Sequence, residues 1–275
     1  MKKTVCIIGA GLSGGFLASE LLKKNKYKVI LIDVDRLKKK FNKNNKLDIN
    51  FDYSEKFYDK INRGYGFGGT SNLWHGGYTR LDKRDLDNID RELNYDFTKD
   101  INLYYKKVFD QFIGKKKNRY INNSETFDIF KDSKKINKKK IYIEKKPFNS
   151  RVFIKSISNK IQIIQNAVVL TVSNNINKNK IDFIECTINN KKITIRADIY
   201  ILSAGVFETP RILLQSIQEK KLNLINNNIG KNIIDHPFCK ICSLKIDDKL
   251  LNKKLTTDKT FNDKFNYRTG YTFNQ

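Results

Sequence analysis

Several residue types are scarce in this 275-residue sequence, and each scarcity excludes something. Its 4 cysteines (Cys6, Cys186, Cys239 and Cys242) are too few for a disulfide framework at this length, so a reducing compartment, the cytoplasm, is expected. No segment offers the ~18 uninterrupted apolar residues that a membrane span requires. Only 3 prolines and 1 tryptophan accompany a marked excess of Lys, Asn and Ile, a compositional habit spread along the whole chain. Histidine is scarce too, with His75 and His236 alone, which limits the candidates for a neutral-pH base.

Acidic residues are also under-represented: 29 Asp and Glu face 54 Lys and Arg, a net charge of +25. Such a balance raises nucleic acid as a partner. The basic runs, Lys38–Lys40, Lys115–Lys117 and Lys138–Lys140, are mixed with Asn and Ile and lack the aromatic ladder on which bases stack. They are therefore solvated faces, with no specific nucleic-acid site, and only a salt-sensitive attraction to polyanions is expected of them.

The N-terminus imitates a secretory signal, because Met1-Lys2-Lys3 precedes an apolar stretch from Thr4 to Leu22. A signal needs only apolarity, whereas this stretch spaces Gly9, Gly11 and Gly14 in a pattern, carries Glu20 and leads into a second strand. Val5–Ile8 is a buried-strand run, and Leu12, Phe16, Leu17 and Leu21 then recur at helical spacing. After Asn25-Lys26, Val29–Ile32 forms a second run ending in Asp33, so residues 4–33 predict one βαβ unit.

Further along, six glycines (Gly64, Gly66, Gly68, Gly69, Gly76, Gly77) crowd into fourteen positions around Trp74. Leu86, Ile89 and Leu93, then Leu103, Val108 and Phe112, predict helices broken near Tyr95–Thr98. Residues 141–196 predict a β-rich middle with a hairpin at 189–192. Ile199–Ser203 returns to a buried strand, Ala204-Gly205 turns, and Thr209 as N-cap with Pro210 at the first helical position predicts a helix through Gln218. One further strand is expected over Phe238–Ile246. There Cys239 and Cys242 fall on opposite faces, unlike a redox or zinc pair, so no metal is expected.

Gly9-x-Gly11-x-x-Gly14 lies directly after a strand and opens a helix, with Asp33 nineteen positions beyond Gly14. Glycines there permit a tight turn and let a pyrophosphate reach main-chain N–H groups at the positive end of the helix dipole, where Ser13 adds a hydroxyl. A carboxylate at the end of the second strand accepts bonds from a ribose and disfavours a 2′-phosphate. FAD and NAD both satisfy this fingerprint.

With the fingerprint, Gly68-Gly69-Thr70-Ser71-Asn72-Leu73-Trp74-His75-Gly76-Gly77 resembles the flavin-contacting loop of the glucose-methanol-choline (GMC) oxidoreductases. Residues 201–216 resemble that family's second signature, and Ile229–Pro237 resembles a third segment. The resemblance implies an α/β fold: a Rossmann-like FAD-binding domain with a parallel central sheet and a β-rich middle over 1–236, with an insert at about 80–150. The start of a truncated substrate domain would occupy 237–275. It implies that Gly9, Gly11, Ser13 and Gly14 hold the pyrophosphate, Asp33 the ribose and Val169 the adenine through its backbone. Gly69, Thr70, Ser71 and Asn72 would meet the flavin edge, and Ala204-Gly205 would pack beside the adenosine.

Some family members tether FAD through a histidine at the position that is Leu73 here, so noncovalent FAD is expected. The activity implied is oxidation of a CH–OH group of an alcohol or sugar, with hydride passing to flavin N5. The family's catalytic histidine belongs to a C-terminal segment without counterpart in these residues, which leaves His75 only a weak candidate and His236 a weaker one. A chain without that segment would turn over little. The alternative from another class is a non-catalytic module that binds FAD, another nucleotide or a partner protein. Neither the substrate nor the electron acceptor follows from the sequence.

Overall fold

A computed structural model describes residues 1–37, 64, 66–74, 76–78, 81, 83–112, 136–144, 148–175, 180–233, 258–260 and 265–273. His75, His236, Cys239, Cys242 and the strand expected over 238–246 lie outside the described residues. The chain divides into two compact units, Met1–Trp74 with Phe148–Cys239, and His75–Pro147 with Lys240–Gln275.

The first unit is built on a parallel sheet. β1 (Lys3–Ile8) and β2 (Tyr27–Ile32) flank α1 (Leu12–Lys23), as the apolar runs require, and β5 (Gln162–Ile164) and β9 (Ile199–Leu202) complete the order β5-β2-β1-β9. Strand alternation sends side chains to two layers. Val5, Ile7, Val29 and Leu31 face α1 and Ile154, while Cys6, Ile8, Ile30 and Ile32 face an antiparallel sheet of β6 (Ala167–Asn175), β7 (Lys180–Ile188) and β8 (Lys191–Ile195). The β7–β8 hairpin turns at Asn189 and Asn190, both left-handed, which asparagine tolerates better than most residues.

Two elements differ from the sequence-based expectation. Within the β-rich middle, Ser150–Ile157 is a helix, α4, capped by the Asn149 side chain, which accepts from the N–H groups of Arg151 and Val152 at 2.9 and 3.3 Å. Its β-branched residues favour a strand locally. The cap and the burial of Ser150, Arg151 and Ile154, one stripe of a helix, overrule them. The helix after β9, α5, spans Gly205–Gln218, so it starts before Thr209 and holds Pro210 in its interior, not at its first position. Gly205 adopts φ +84°, a conformation that turns the chain at once from strand to helix. Burial of Ile212 and Ser216 then outweighs the hydrogen bond that Pro210 cannot donate.

The second unit contains α2 (Lys83–Leu93) and α3 (Phe97–Phe112), divided where the sequence predicts, and an antiparallel sheet of order β10-β11-β4-β3. Its strands are Gly77–Tyr78 (β3), Ile136–Glu144 (β4), Asp258–Thr260 (β10) and Phe265–Phe273 (β11). Among the described residues no helix is long and apolar enough to cross a membrane, and no group of three His, Cys, Asp or Glu is placed to hold a metal ion.

Cys6 and Cys186 are both buried in the layer between the sheets. Burial, and secondarily the nearby Cys186, pushes the Cys6 thiol up to about 12; burial pushes Cys186 up to about 11. Because the thiolate is the nucleophile, iodoacetamide at pH 8 is expected to leave both unmodified in the folded chain and to label both in denaturant, as peptide mass mapping would show. Labelling in the folded chain at the rate of a free peptide thiol would refute this packing.

Candidate functional site

The turn after β1 is held from several sides. The Gly9 N–H donates to the Ile32 carbonyl at 3.0 Å and the Ser203 N–H to the Ile8 carbonyl at 2.8 Å, so β2 and β9 both grip the end of β1. A side chain at Gly9 would strike the Ser203 carbonyl at 2.5 Å, and one at Gly14 would strike the Gly9 carbonyl at 2.0 Å. Neither position has room for a side chain. Gly11 differs, because a Cβ there would meet nothing within 4 Å. It is the N-cap of α1, which carries no side-chain cap and no acidic residue in its first turn. An uncapped helix start facing open space leaves N–H donors that suit an anion.

Asp33, at the end of β2, is buried, and its Oδ2 accepts from the Ala10 N–H at 2.8 Å while Oδ1 accepts from the Asp35 N–H at 3.3 Å. Burial pushes its carboxyl up to about 6, against the opposing pull of the backbone N–H groups of Ala10, Asp35 and Val34. The chain just beyond is held by Arg151 of α4, whose Nη2 donates to the carbonyls of Arg36 and Leu37 at 2.7 and 3.0 Å.

The glycine cluster reaches the same place. The Gly68 N–H donates to the Ala10 carbonyl at 2.8 Å, and a Cβ at Gly69 would approach the Cα of Gly11 at 3.2 Å. Gly69–Asn72 is a 3₁₀ turn, closed by the Asn72 side chain donating to the carbonyls of Phe67 and Gly69, both at 3.0 Å. The Ser150 hydroxyl of α4 donates to the Gly11 carbonyl at 3.1 Å, and the Ser150 N–H donates to the Ser71 hydroxyl at 3.3 Å. The Trp74 indole N–H donates to the Phe148 carbonyl at 2.9 Å. Thus α4 buttresses the fingerprint turn and the glycine cluster together.

One cavity of about 650 Å³ results. Of the residues expected from the sequence, Gly9, Gly11, Ser13, Asp33, Gly69, Thr70, Ser71, Val169, Ala204 and Gly205 line it. Gly14 and Asn72 do not: they pack behind the walls. Trp74 closes the cavity beside the glycine cluster, and Glu208, Arg211 and Ile212 of α5 line it with Val169.

Among solved structures, a pyridoxine 4-oxidase from Mesorbium loti superposes with a TM-score of 0.54 at 15% identity, over 77% of this chain and 51% of that one. A fungal aryl-alcohol oxidase superposes at 0.52 with 12% identity, over 77% of this chain and 47% of that one. The chain has a GMC-type fold. It spans about half the length of these two structures. No family sequence profile and no curated protein sequence matches it.

The cavity walls can be tested for fit to FAD. The uncapped start of α1 and the open space over Gly11 suit a diphosphate, and Asp33 suits a ribose. The 3₁₀ turn and Trp74 offer a flat wall at one side, and Val169 offers main-chain groups at another. A cavity of this size lies within the range of cofactor sites. Sequence reasoning missed Ser150, Arg151 and Arg211. Arg211 lies inside the segment 201–216 that resembles the second signature, but nothing in the sequence joins it to Val169.

Proposed function

We propose that this chain binds FAD noncovalently and belongs to an oxidoreductase that oxidises CH–OH groups of an alcohol or sugar. The observation that carries the proposal is the 2.8 Å bond from the Gly68 N–H to the Ala10 carbonyl. It joins the cluster that resembles a flavin loop to the turn that resembles a diphosphate cradle, in one cavity. The two solved structures of like fold are oxidases by name, pyridoxine 4-oxidase and aryl-alcohol oxidase.

In this reading Gly9, Gly11 and Ser13 lie along the diphosphate, Asp33 accepts from the ribose hydroxyls, and Gly69, Thr70 and Ser71 border the flavin, with Gly14 and Asn72 holding those walls in shape. Val169, Ala204 and Gly205 face the adenosine. Leu73 has no group with which to tether the ring, which supports a noncovalent cofactor. Bound flavin would supply the hydride acceptor; this chain's residues orient it and exclude water from one side. The cofactor domain is residues 1–236, with the stretch at about 80–150 as an insert, and the substrate domain begins near 237. The electron acceptor is left open.

The test is to purify the chain, record its flavin absorbance, and follow melting with added FAD. Free FAD at a thousand times the dissociation constant is expected to add about 4 kcal/mol of stability. Bleaching of the bound flavin by an alcohol or sugar without oxygen would support the oxidoreductase; stabilisation without bleaching would favour the non-catalytic nucleotide-binding alternative. No stabilisation by FAD would overturn the proposal.

A further inference from the structure

α5 does more than flank the cavity: it covers the free edge of β6. Among the described residues strand β6 is an edge strand, paired with β7 alone in the order β6-β7-β8, so half of its backbone groups point away from its neighbour. Three of these groups are met from α5 and the turn after it. Arg211 Nη2 donates to the Val169 carbonyl at 2.6 Å, the Val172 N–H donates to the Ser216 hydroxyl at 2.9 Å, and the Asn174 N–H donates to the Lys221 carbonyl at 2.9 Å. Only the first of these contacts lies on the cavity wall, which both Val169 and Arg211 line.

Arg211 is itself fixed. Its Nε donates to Glu208 Oε2 at 2.8 Å, one turn before it on the helix, and its Nη1 donates to Gln215 Oε1 at 2.9 Å, one turn after. The planar guanidinium thereby has its orientation set along α5, and its remaining edge is aimed at Val169. The strand needs this support at that residue, because the β6–β7 register slips between Val169 and Thr171. A bulge interrupts the ladder and loosens the peptide beside it.

We propose that Arg211 is a positioning residue for the purine end of the dinucleotide, fixing the Val169 peptide so that its carbonyl is presented to the base in one orientation. The inference rests on the proposed FAD site and deepens it. A carbonyl oxygen has two lone pairs, so the bond from Arg211 leaves one for an exocyclic amino group. An amino donor beside a ring-nitrogen acceptor is the pattern of an adenine, and a residue presenting a fixed carbonyl and its N–H matches it. Lysine cannot replace arginine, because one ammonium cannot meet Glu208, Gln215 and Val169 in a fixed plane.

The test compares FAD with FMN, which lacks the adenosine half, in the full chain carrying Arg211→Lys, Arg211→Met or Glu208→Gln. Loss of a charged hydrogen bond that orders the base site is expected to weaken FAD about tenfold or more in both Arg211 variants. FMN binding is expected to stay within about twofold, since the flavin wall is a separate part of the cavity. Glu208→Gln keeps the guanidinium but loosens its clamp, and is expected to fall between. Equal losses for FAD and FMN would show a general charge or folding role and overturn the inference, as would unchanged FAD binding in Arg211→Lys. If the unaltered chain bound no FAD, the proposed function would fall and this inference with it; FAD binding that ignores Arg211 would sink only the inference.

Discussion

Alanine at Gly14 is expected to destabilise the chain by about 3 kcal/mol, whereas alanine at Gly11 is expected to leave the fold standing and abolish flavin binding. The two positions lie three residues apart in one fingerprint and would be equivalent to a pattern search. At Gly14 the added Cβ lies 2.0 Å from the Gly9 carbonyl oxygen and 2.7 Å from the Ser203 hydroxyl. The hydroxyl can rotate, but the carbonyl is backbone in a turn that β2 and β9 both grip. Either α1 lifts from the sheet or the turn breaks.

At Gly11 the same methyl meets nothing within 4 Å, and φ is −74°, which any residue adopts. Its stability change is expected to stay within about 1 kcal/mol, the difference between glycine and alanine at an N-cap. The methyl instead occupies space over the helix start that a diphosphate would need. Melting curves read the first effect, with a fall of about 6–12 °C for Gly14→Ala, and FAD titration reads the second. A Gly14→Ala chain as stable as the parent, or a Gly11→Ala chain that binds FAD unchanged, would contradict this assignment of roles.

What was legible in the sequence was local. The β1–α1–β2 unit could be read because its apolar runs, its glycines and Asp33 all lie within thirty residues, and each signal supports the others. The Asn189–Asn190 hairpin was legible for the same reason. Helix α4 was not, since the β-branched Val152, Ile154 and Ile157 bias eight residues away from helix, and its burial against Gly15 and the Phe16 ring comes from a segment more than a hundred residues away. The start of α5 was misplaced because Thr209-Pro210 is a strong local signal, overruled by a left-handed Gly205 and by packing on β6. Likewise, Gly14 and Asn72 were expected to contact the cofactor, yet they do not line the cavity and pack behind its walls. A sequence motif marks positions that a site needs without separating those that touch a ligand from those that shape the wall.

Asp33 is where the needs of folding and of the proposed site conflict most. Its carboxyl is pushed up to about 6, first by burial, and opposed by the N–H groups that point at it. A carboxyl that binds its proton more tightly in the folded chain than in the unfolded one stabilises the fold fully below the unfolded value, near 4, and that contribution is lost as pH rises through about 6. The loss is on the order of 3 kcal/mol, and it is complete at pH 8, where the ionised form must be kept buried.

Asp33→Asn removes the titration. Its amide oxygen still accepts from Ala10, while its NH₂ loses the weaker bond at Asp35. The variant is therefore expected to be more stable than the parent at pH 8 by about 1–2 kcal/mol, with the gap closing between pH 6 and 4. FAD affinity at pH 8 is expected to move the other way, falling about tenfold or more, because a charged acceptor for the ribose hydroxyls has been replaced by a neutral one. In the parent, FAD binding should weaken as pH drops through about 6 and the carboxylate takes up its proton; in the variant it should not. Melting of both chains from pH 4 to 8, with FAD titrations at each pH, separates the two effects. A stability gap that ignores pH would remove the buried carboxylate from the account of the fold, and FAD binding indifferent to the substitution would remove Asp33 from the site.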